Sequence, residues 1–123
     1  MILVDTAIWV DHLGKGDPLL EALLDADRVA MHAFVIGEIA LGNLRDRDDT
    51  LEMLRGLPIV PIAEPDEVLA MLDTHALAGS GIGYVDAHLI ASTLLADELR
   101  LWTRDKRLQA AAQRLGIAAH PIH

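Results

Sequence analysis

The sequence predicts a three-layer α/β/α fold around a central, mostly parallel sheet of four to five strands. Short apolar runs alternate along the chain with longer segments of helical periodicity, a pattern that favours parallel strands joined by helices. The first run, Ile2–Val4, is apolar throughout, as expected for a strand that is buried on both faces. Because 123 residues can enclose a core and no repeat or linker interrupts them, residues 1–123 are expected to form one domain.

Each element has a local signal in the sequence. Asp17 and Pro18 suit the N-cap and first position of the second helix, and prolines bound the strand predicted at 58–62. The glycine-rich stretch 79–83 is interpreted as a loop that places Asp86 near a helix start. The predicted strands are 2–4, 28–32, 58–62, 99–103 and 117–122. The predicted helices are 6–13, 18–26, 33–43, 46–57, 64–79, 84–97 and 104–116.

Composition and charge exclude several classes of protein. The formal net charge of -9, from 19 acidic and 10 basic residues, argues against membrane-surface binding and against broad, nonspecific binding of nucleic acid. The chain has no cysteine, so it has neither disulfides nor thiolate metal sites and is compatible with a reducing cytoplasm. The apolar start lacks a basic leader and is broken at Asp5, which excludes a signal peptide or membrane span there. We therefore expect a cytoplasmic protein.

Four carboxylates are candidates for a functional site. Asp5 and Asp105 directly follow predicted strands, where crevices form in α/β folds, although each also suits the N-cap of the next helix. Glu38 and Asp86 lie in helices that are apolar nearly all round, so both are expected to be buried. An unpaired buried carboxylate is costly, and the alternatives are an ion pair for Glu38 and a helix-dipole role for Asp86.

A divalent cation explains four converging acids better than the few basic residues do. Mg²⁺ and Mn²⁺ prefer carboxylate oxygens, and neither cysteine nor closely spaced histidine favours zinc. One or two such ions beside a phosphodiester activate water and stabilise the leaving oxygen. The acidic set therefore predicts metal-dependent hydrolysis of a phosphodiester bond.

Four motifs in order resemble the PIN-domain ribonucleases, in particular the VapC-type toxins of bacterial toxin-antitoxin pairs. They are "LVDTAIW", "GEIALG", "GYVDAHLIAS" and "LWTRDKRL". The resemblance implies a PIN-like domain in which the four acids are catalytic and bind Mg²⁺ or Mn²⁺, supported by the hydroxyl groups of two threonines. By motif these residues are Asp5, Glu38, Asp86 and Asp105, with Thr6 and Thr103. The activity implied is endoribonucleolytic cleavage of cellular RNA, often tRNA or ribosomal RNA.

The resemblance also implies partners. These are an RNA substrate, a second copy of the chain in a homodimer, and a cognate antitoxin that occupies an apolar groove beside the active site. The residues considered for that groove, all of which also suit the core, are Ile8, Trp9, Leu13, Leu51 and Leu54. Basic residues that are solvated or contact RNA phosphates are Arg45, Arg47, Arg104, Lys106 and Arg107.

Two alternatives come from other functional classes. A receiver-type phosphoacceptor domain is also an α/β fold with an acidic pocket, but it needs adjacent acids after its first strand and an acceptor aspartate after a central one. A PIN-like module kept for interaction alone is the other alternative, and the intact acidic set counts against it. Weaker signals are the "GSGIGY" stretch, which lacks a dinucleotide-binding fingerprint, and His88, which is expected to be structural or to line the crevice.

Overall fold

A computed structural model describes residues 1–120, which contain three strands and seven helices. The strands are β1 (Ile2–Val4), β2 (Val29–Ala30) and β3 (Arg100–Trp102). The helices are α1 (Thr6–Lys15), α2 (Pro18–Asp25), α3 (Ala33–Ala40), α4 (Arg47–Arg55), α5 (Pro65–Thr74), α6 (Tyr84–Leu94) and α7 (Lys106–Arg114). The predicted alternation of strands and helices is confirmed.

The sheet is parallel and β1 is its central strand, in the order β2-β1-β3. Leu3 lies opposite Ala30 on one side and Leu101 on the other. All three residues of β1 are buried, as its apolar run predicts. Because the strands are parallel, the segments that leave their carboxyl ends meet at one edge of the sheet.

The two other predicted strands pair by one bridge each. Ile59 bridges to Met31 and Ala118 bridges to Leu101, both in parallel sense. The described part of the chain therefore has three strands flanked by two bridged segments, where four to five full strands were expected. Pro58 and Pro61 have no N–H to donate, which limits pairing of the first segment. Residues 121–122, the end of the strand predicted at 117–122, lie outside the described residues.

Helix α6 is the buried helix that its sequence predicts, whereas α3 is not. Every residue from 87 to 93 is buried. A small second core forms where α5 packs on α6, from Ala63, Val68, Ala87 and Ala91. Helix α3 contacts α1 and α4, but only Val35 and Ile39 within it are buried.

Glu38 is therefore exposed, and the expectation that it lies in a helix buried between layers is wrong. The apolar character of α3 extends onto its solvent-facing side, where Gly37 is exposed and the following Leu41 is 88% exposed. Periodicity alone does not separate an apolar helix in the core from one with an uncovered apolar face. Among residues 1–120, no helix is both long enough and apolar enough to cross a bilayer.

Candidate active site

Asp5 lies at the centre of the edge where the strands end. It follows β1 directly, and its backbone N–H donates to the carbonyl of Trp102 at 2.9 Å, which continues the pairing of β1 with β3. Its side chain is N-cap of α1 and accepts the N–H of Thr6 at 2.8 Å. The residue is only 7% exposed, so the strand holds a nearly buried carboxylate at the rim of the sheet.

Thr103 connects Asp5 to Asp105. Its buried hydroxyl donates to Asp5 Oδ2 at 2.7 Å and accepts the backbone N–H of Asp105 at 3.0 Å. Asp105 is N-cap of α7, where its Oδ1 accepts the N–H of Leu108 at 2.9 Å. Both aspartates that follow strands are thus helix caps, as considered from the sequence, and both lie at the edge of the sheet where the site is predicted.

Glu38 reaches the site through Thr6. The Thr6 hydroxyl donates to Glu38 Oε1 at 2.6 Å, which joins the first turn of α1 to α3. The glutamate is exposed, so this contact fixes a carboxylate that would otherwise be free to change rotamer. Each threonine predicted to support the acids therefore contacts two of them.

Asp86 lies in the first turn of α6 and is partly buried. Its Oδ2 accepts the backbone N–H of Gly83, the N-cap residue, at 2.9 Å. A Cβ added at Gly83 would lie 3.4 Å from the same oxygen, so the glycine allows the carboxylate to approach the backbone closely. The loop at 79–83 places Asp86 at a helix start, as its composition predicts.

The acids act on one another electrostatically. Burial is the main cause that raises the pKa of Asp5, and the charges of Glu38 and Asp105 raise it further, against hydrogen bonds from Thr103 and Thr6 that lower it. Burial also raises the pKa of Asp86, and the charges of Asp5 and Asp105 add to it, against the Gly83 N–H. These effects connect all four carboxylates in one acidic site.

Among the described residues, no basic side chain forms an ion pair with an acid of this site. The one ion pair within residues 1–120 joins Arg104 to Asp17, at 2.6 Å, so Glu38 does not have the ion pair considered from the sequence. In the same part of the chain, no three His, Asp or Glu side chains form a ready-made metal-binding group. The donor chemistry, carboxylate oxygens without thiolate or paired imidazole, fits a hard cation such as Mg²⁺.

The residues of the apolar groove differ in part from expectation. Ile8, Trp9, Leu51 and Leu54 are buried in the main core and do not contribute to the groove beside Glu38. A groove of about 310 Å³ does run from Glu38 between α1, α3 and the segment before α4. Its lining includes Val10, Leu13, Ile39, Leu44 and Arg45, so Leu13 alone of the expected set contributes.

His88 is structural. It is buried on α6 and its ring contacts Phe34 and Tyr84, each with centroids 4.7 Å apart. Two contacts were not predicted from the sequence: the hydrogen bond from the Gly83 N–H to Asp86 and the packing of Arg107 over Gly81. The only sequence signal for either is the density of glycine just before Asp86.

Comparison with known protein families identifies the family of this chain. A family model described as the PIN domain matches residues 2–114. The chain belongs to the PIN domain family. This membership excludes the receiver-type alternative and confirms the resemblance inferred from the four motifs.

Relatives and a solved structure agree with a PIN domain. Ribonuclease VapC32 of Mycobacterium tuberculosis, in strains CDC 1551 / Oshkosh and ATCC 25618 / H37Rv, is 46% identical over 118 residues, which cover 96% of this chain and 95% of the relative. A chain in the crystal structure of FitAcB from Neisseria gonorrhoeae is 24% identical with a TM-score of 0.67, over 100% of this PIN domain and 99% of that chain. The second likeness shows the shared fold.

Proposed function

We propose that this PIN domain is a metal-dependent endoribonuclease toxin of a toxin-antitoxin pair, which cleaves cellular RNA by hydrolysis of a phosphodiester bond. The observation that carries the proposal is the grouping of four carboxylates at the carboxyl edge of the sheet, none of which forms an ion pair within residues 1–120. The close relative named as a ribonuclease, 46% identical over nearly the whole of both chains, supports RNA as the substrate class. In this proposal tRNA and ribosomal RNA are the favoured substrates.

The four acids have different roles because their environments differ. Asp5, Glu38, Asp86 and Asp105 would hold Mg²⁺ or Mn²⁺, which would supply a water of lowered pKa and stabilise charge on the leaving oxygen. The backbone N–H of Thr6 and the hydroxyl of Thr103 each donate to one carboxylate oxygen of Asp5, so the position of this side chain is fixed. Glu38 and Asp105 are exposed and face incoming solvent and substrate.

The groove beside Glu38 suits an apolar segment of an antitoxin. Val10 is 54% exposed and Leu41 is 88% exposed next to a lining that includes Leu13, Ile39 and Leu44. A chain that filled the groove would cover these side chains and end beside Glu38, where it would block access to the acids. Val10→Asp would weaken antitoxin binding in a pull-down and leave RNA cleavage by the free domain unchanged.

Two further parts of the proposal concern the state of the protein in the cell. We propose a homodimer, supported by exposed apolar side chains such as Ile62 and Leu69, which are 44% and 56% exposed. Light scattering coupled to gel filtration measures its mass directly. We also propose a cytoplasmic location, which the absence of cysteine from the whole chain permits.

The experiment that tests the function maps new RNA 5′ ends after brief induction. Wild type is compared with Asp5→Asn and with Asp25→Asn, which removes one charge from an exposed position at the end of α2. We expect discrete new ends with wild type and Asp25→Asn and none with Asp5→Asn. If wild type produced no new ends, the alternative of an interaction module without catalysis would replace the proposal.

A further inference from the structure

We infer that Arg107 positions the RNA, by contacting a phosphate next to the acidic site with a guanidinium group that is held over the backbone of Gly81. This inference rests on the proposed function and assigns a substrate contact to one side chain. Its basis is a close approach between the start of α7 and the loop before α6.

Arg107 lies across the loop that places Asp86. A Cβ built on Gly81 would lie 2.8 Å from Arg107 Cδ, 2.9 Å from Nη1 and 3.1 Å from Nε. The guanidinium therefore occupies space that any other residue at position 81 would need. Gly81 also has φ +84°, a conformation that favours glycine. The missing Cβ of Gly81 leaves room for the Arg107 side chain, and the positive φ independently favours glycine there.

The position of this group connects it to the acids. Arg107 is in the first turn of α7, two residues after Asp105, the N-cap. Gly81 is two residues before Gly83, whose N–H holds Asp86. Because Arg107 lies over Gly81, the start of α7 that carries Asp105 adjoins the loop that precedes Asp86, and we place the guanidinium at the rim of the acidic site.

Within residues 1–120, no side chain or carbonyl neutralises or binds the Arg107 guanidinium. No ion pair and no hydrogen bond found among residues 1–120 involves its guanidinium. Two other arginines near the site are engaged: Arg104 pairs with Asp17 and lies over the Trp102 ring, and Arg47 donates to the carbonyl of Ala40 at 2.7 Å. Arg107 keeps its planar set of donors available for a ligand.

A phosphate is the ligand that fits this arrangement. Guanidinium binds phosphate through two parallel hydrogen bonds and remains charged at every physiological pH. A chain with a formal net charge of -9 repels RNA at long range, so an unpaired cation beside the acids has a large effect on where the backbone lies. We place this contact beside the scissile bond, and the acids act on the bond itself.

The test separates substrate positioning from a structural contact with the loop. We expect Arg107→Gln to raise KM for a labelled hairpin RNA roughly tenfold with kcat within about twofold, because the contact is to the substrate and not to the reacting atoms. Arg107→Lys keeps the positive charge but lacks the planar guanidinium, so its KM should lie between those of wild type and Arg107→Gln. Arg28→Gln, an equal change of charge before β2 at the opposite edge of the sheet, should match wild type.

A binding measurement gives a second readout. In an Asp5→Asn background, affinity for the same RNA is measured by fluorescence anisotropy over a series of salt concentrations. Loss of one phosphate contact should reduce the slope of log K against log salt by about 0.7 if the contact is to the single-stranded loop of the hairpin and by about 0.9 if it is to the stem, with an unchanged melting temperature. A purely structural role would lower the melting temperature and leave the slope unaltered.

Two results would overturn the inference. One is an Arg107→Gln variant that equals wild type in KM and salt slope while wild type cleaves the RNA. The other is an equal loss in Arg28→Gln, which would show an effect of net charge. Failure of the proposed function has a different signature, because wild type itself would then neither bind nor cleave the hairpin, and both proposals would fall.

Discussion

The hydroxyl of Thr103 fixes two acids relative to each other. It donates to the side chain of Asp5 and accepts from the backbone of Asp105, so the ends of β1 and β3 are joined across the site. The strands are already paired in register at this edge, with Val4 opposite Trp102. Because the strands are in fixed register, the Thr103 hydrogen bonds also fix the positions of the two aspartates relative to each other.

Replacing Thr103 by Val should damage both stability and activity. Valine has a similar shape but leaves the buried Asp5 oxygen and the Asp105 N–H without their partner, a loss of about 1–3 kcal/mol in the free energy of unfolding. Because the loss also frees both acids, kcat should fall roughly 10- to 100-fold. Chemical denaturation and RNA cleavage measure the two effects. Thr103→Ser keeps the hydroxyl, and its failure to retain most activity would contradict this account.

Asp105 has two roles that different substitutions separate. Asn preserves the oxygen that accepts the N–H of Leu108, so Asp105→Asn should keep the stability of the fold while cleavage is lost. Asp105→Ala removes the cap and the charge, and should lose about 1 kcal/mol of stability in addition. Thermal melts and cleavage assays on both variants test this. A fully active Asp105→Asn would show that the carboxylate serves only as a cap.

At the scale of elements, α3 begins at a buried histidine. His32 is N-cap of α3, and its Nδ1 accepts the N–H of Phe34 at 3.0 Å, so the neutral ring carries its proton on Nε2. Burial, with the charge of His88 adding to it, lowers the pKa of His32 from 6.5 to about 4. Protonation of His32 would remove the acceptor that caps α3 and would place a positive charge on a side chain with no exposed surface.

This histidine gives stability a pH dependence of known sign. His32 binds a proton more tightly in the unfolded chain than in the folded protein. Its contribution to the free energy of unfolding is therefore fully present above pH 6.5 and is lost as the pH decreases from 6.5 toward about 4. The loss should reach about 3 kcal/mol. His32→Asn keeps a capping oxygen without titrating, and the difference between the two proteins in urea melts isolates His32 from the acids. An equal slope for both would contradict the assignment.

Helices and strands were predictable from the sequence where the hydrophobic pattern matches the burial of the side chains in the fold. The run at Ile2–Val4 and the apolar segment of α6 are buried as their composition predicts, and Asp17 and Pro18 start α2 at the expected position. The exposed side of α3 was not predictable, because an apolar face toward solvent has the same sequence signal as one toward the core. For the same reason Ile8 and Trp9, residues of the core, could be assigned to a groove from the sequence.

The site was predictable in its members but not in its contacts. Motif order identifies Asp5, Glu38, Asp86 and Asp105, yet their burial ranges from 7% exposed for Asp5 to open exposure for Glu38. Contacts such as Thr6 to Glu38, 32 positions apart, depend on how α1 and α3 pack. No spacing rule in one sequence specifies that packing.

At the scale of the whole molecule, the uncompensated charge of the site should be visible in its stability. In EDTA, Asp86→Asn should melt above wild type, because the raised pKa of Asp86 means that its charged form disfavours the fold. Millimolar Mg²⁺ should raise the melting temperature of wild type more than that of the variant, since the ion binds the folded acidic site. Scanning calorimetry with and without Mg²⁺ measures both shifts. Equal Mg²⁺ effects on the two proteins would argue against a metal held by Asp86.

The segment at 58–61 has a consequence for how the protein behaves when concentrated. Pro58 and Pro61 have no N–H, that of Val60 is already donated to Met31, and the carbonyl of Pro61 accepts the Ser92 hydroxyl. An edge with so few free groups is a poor template for an incoming strand. Although Ile59 is 47% exposed there, this border of the sheet resists the strand addition that begins fibril formation and domain swapping.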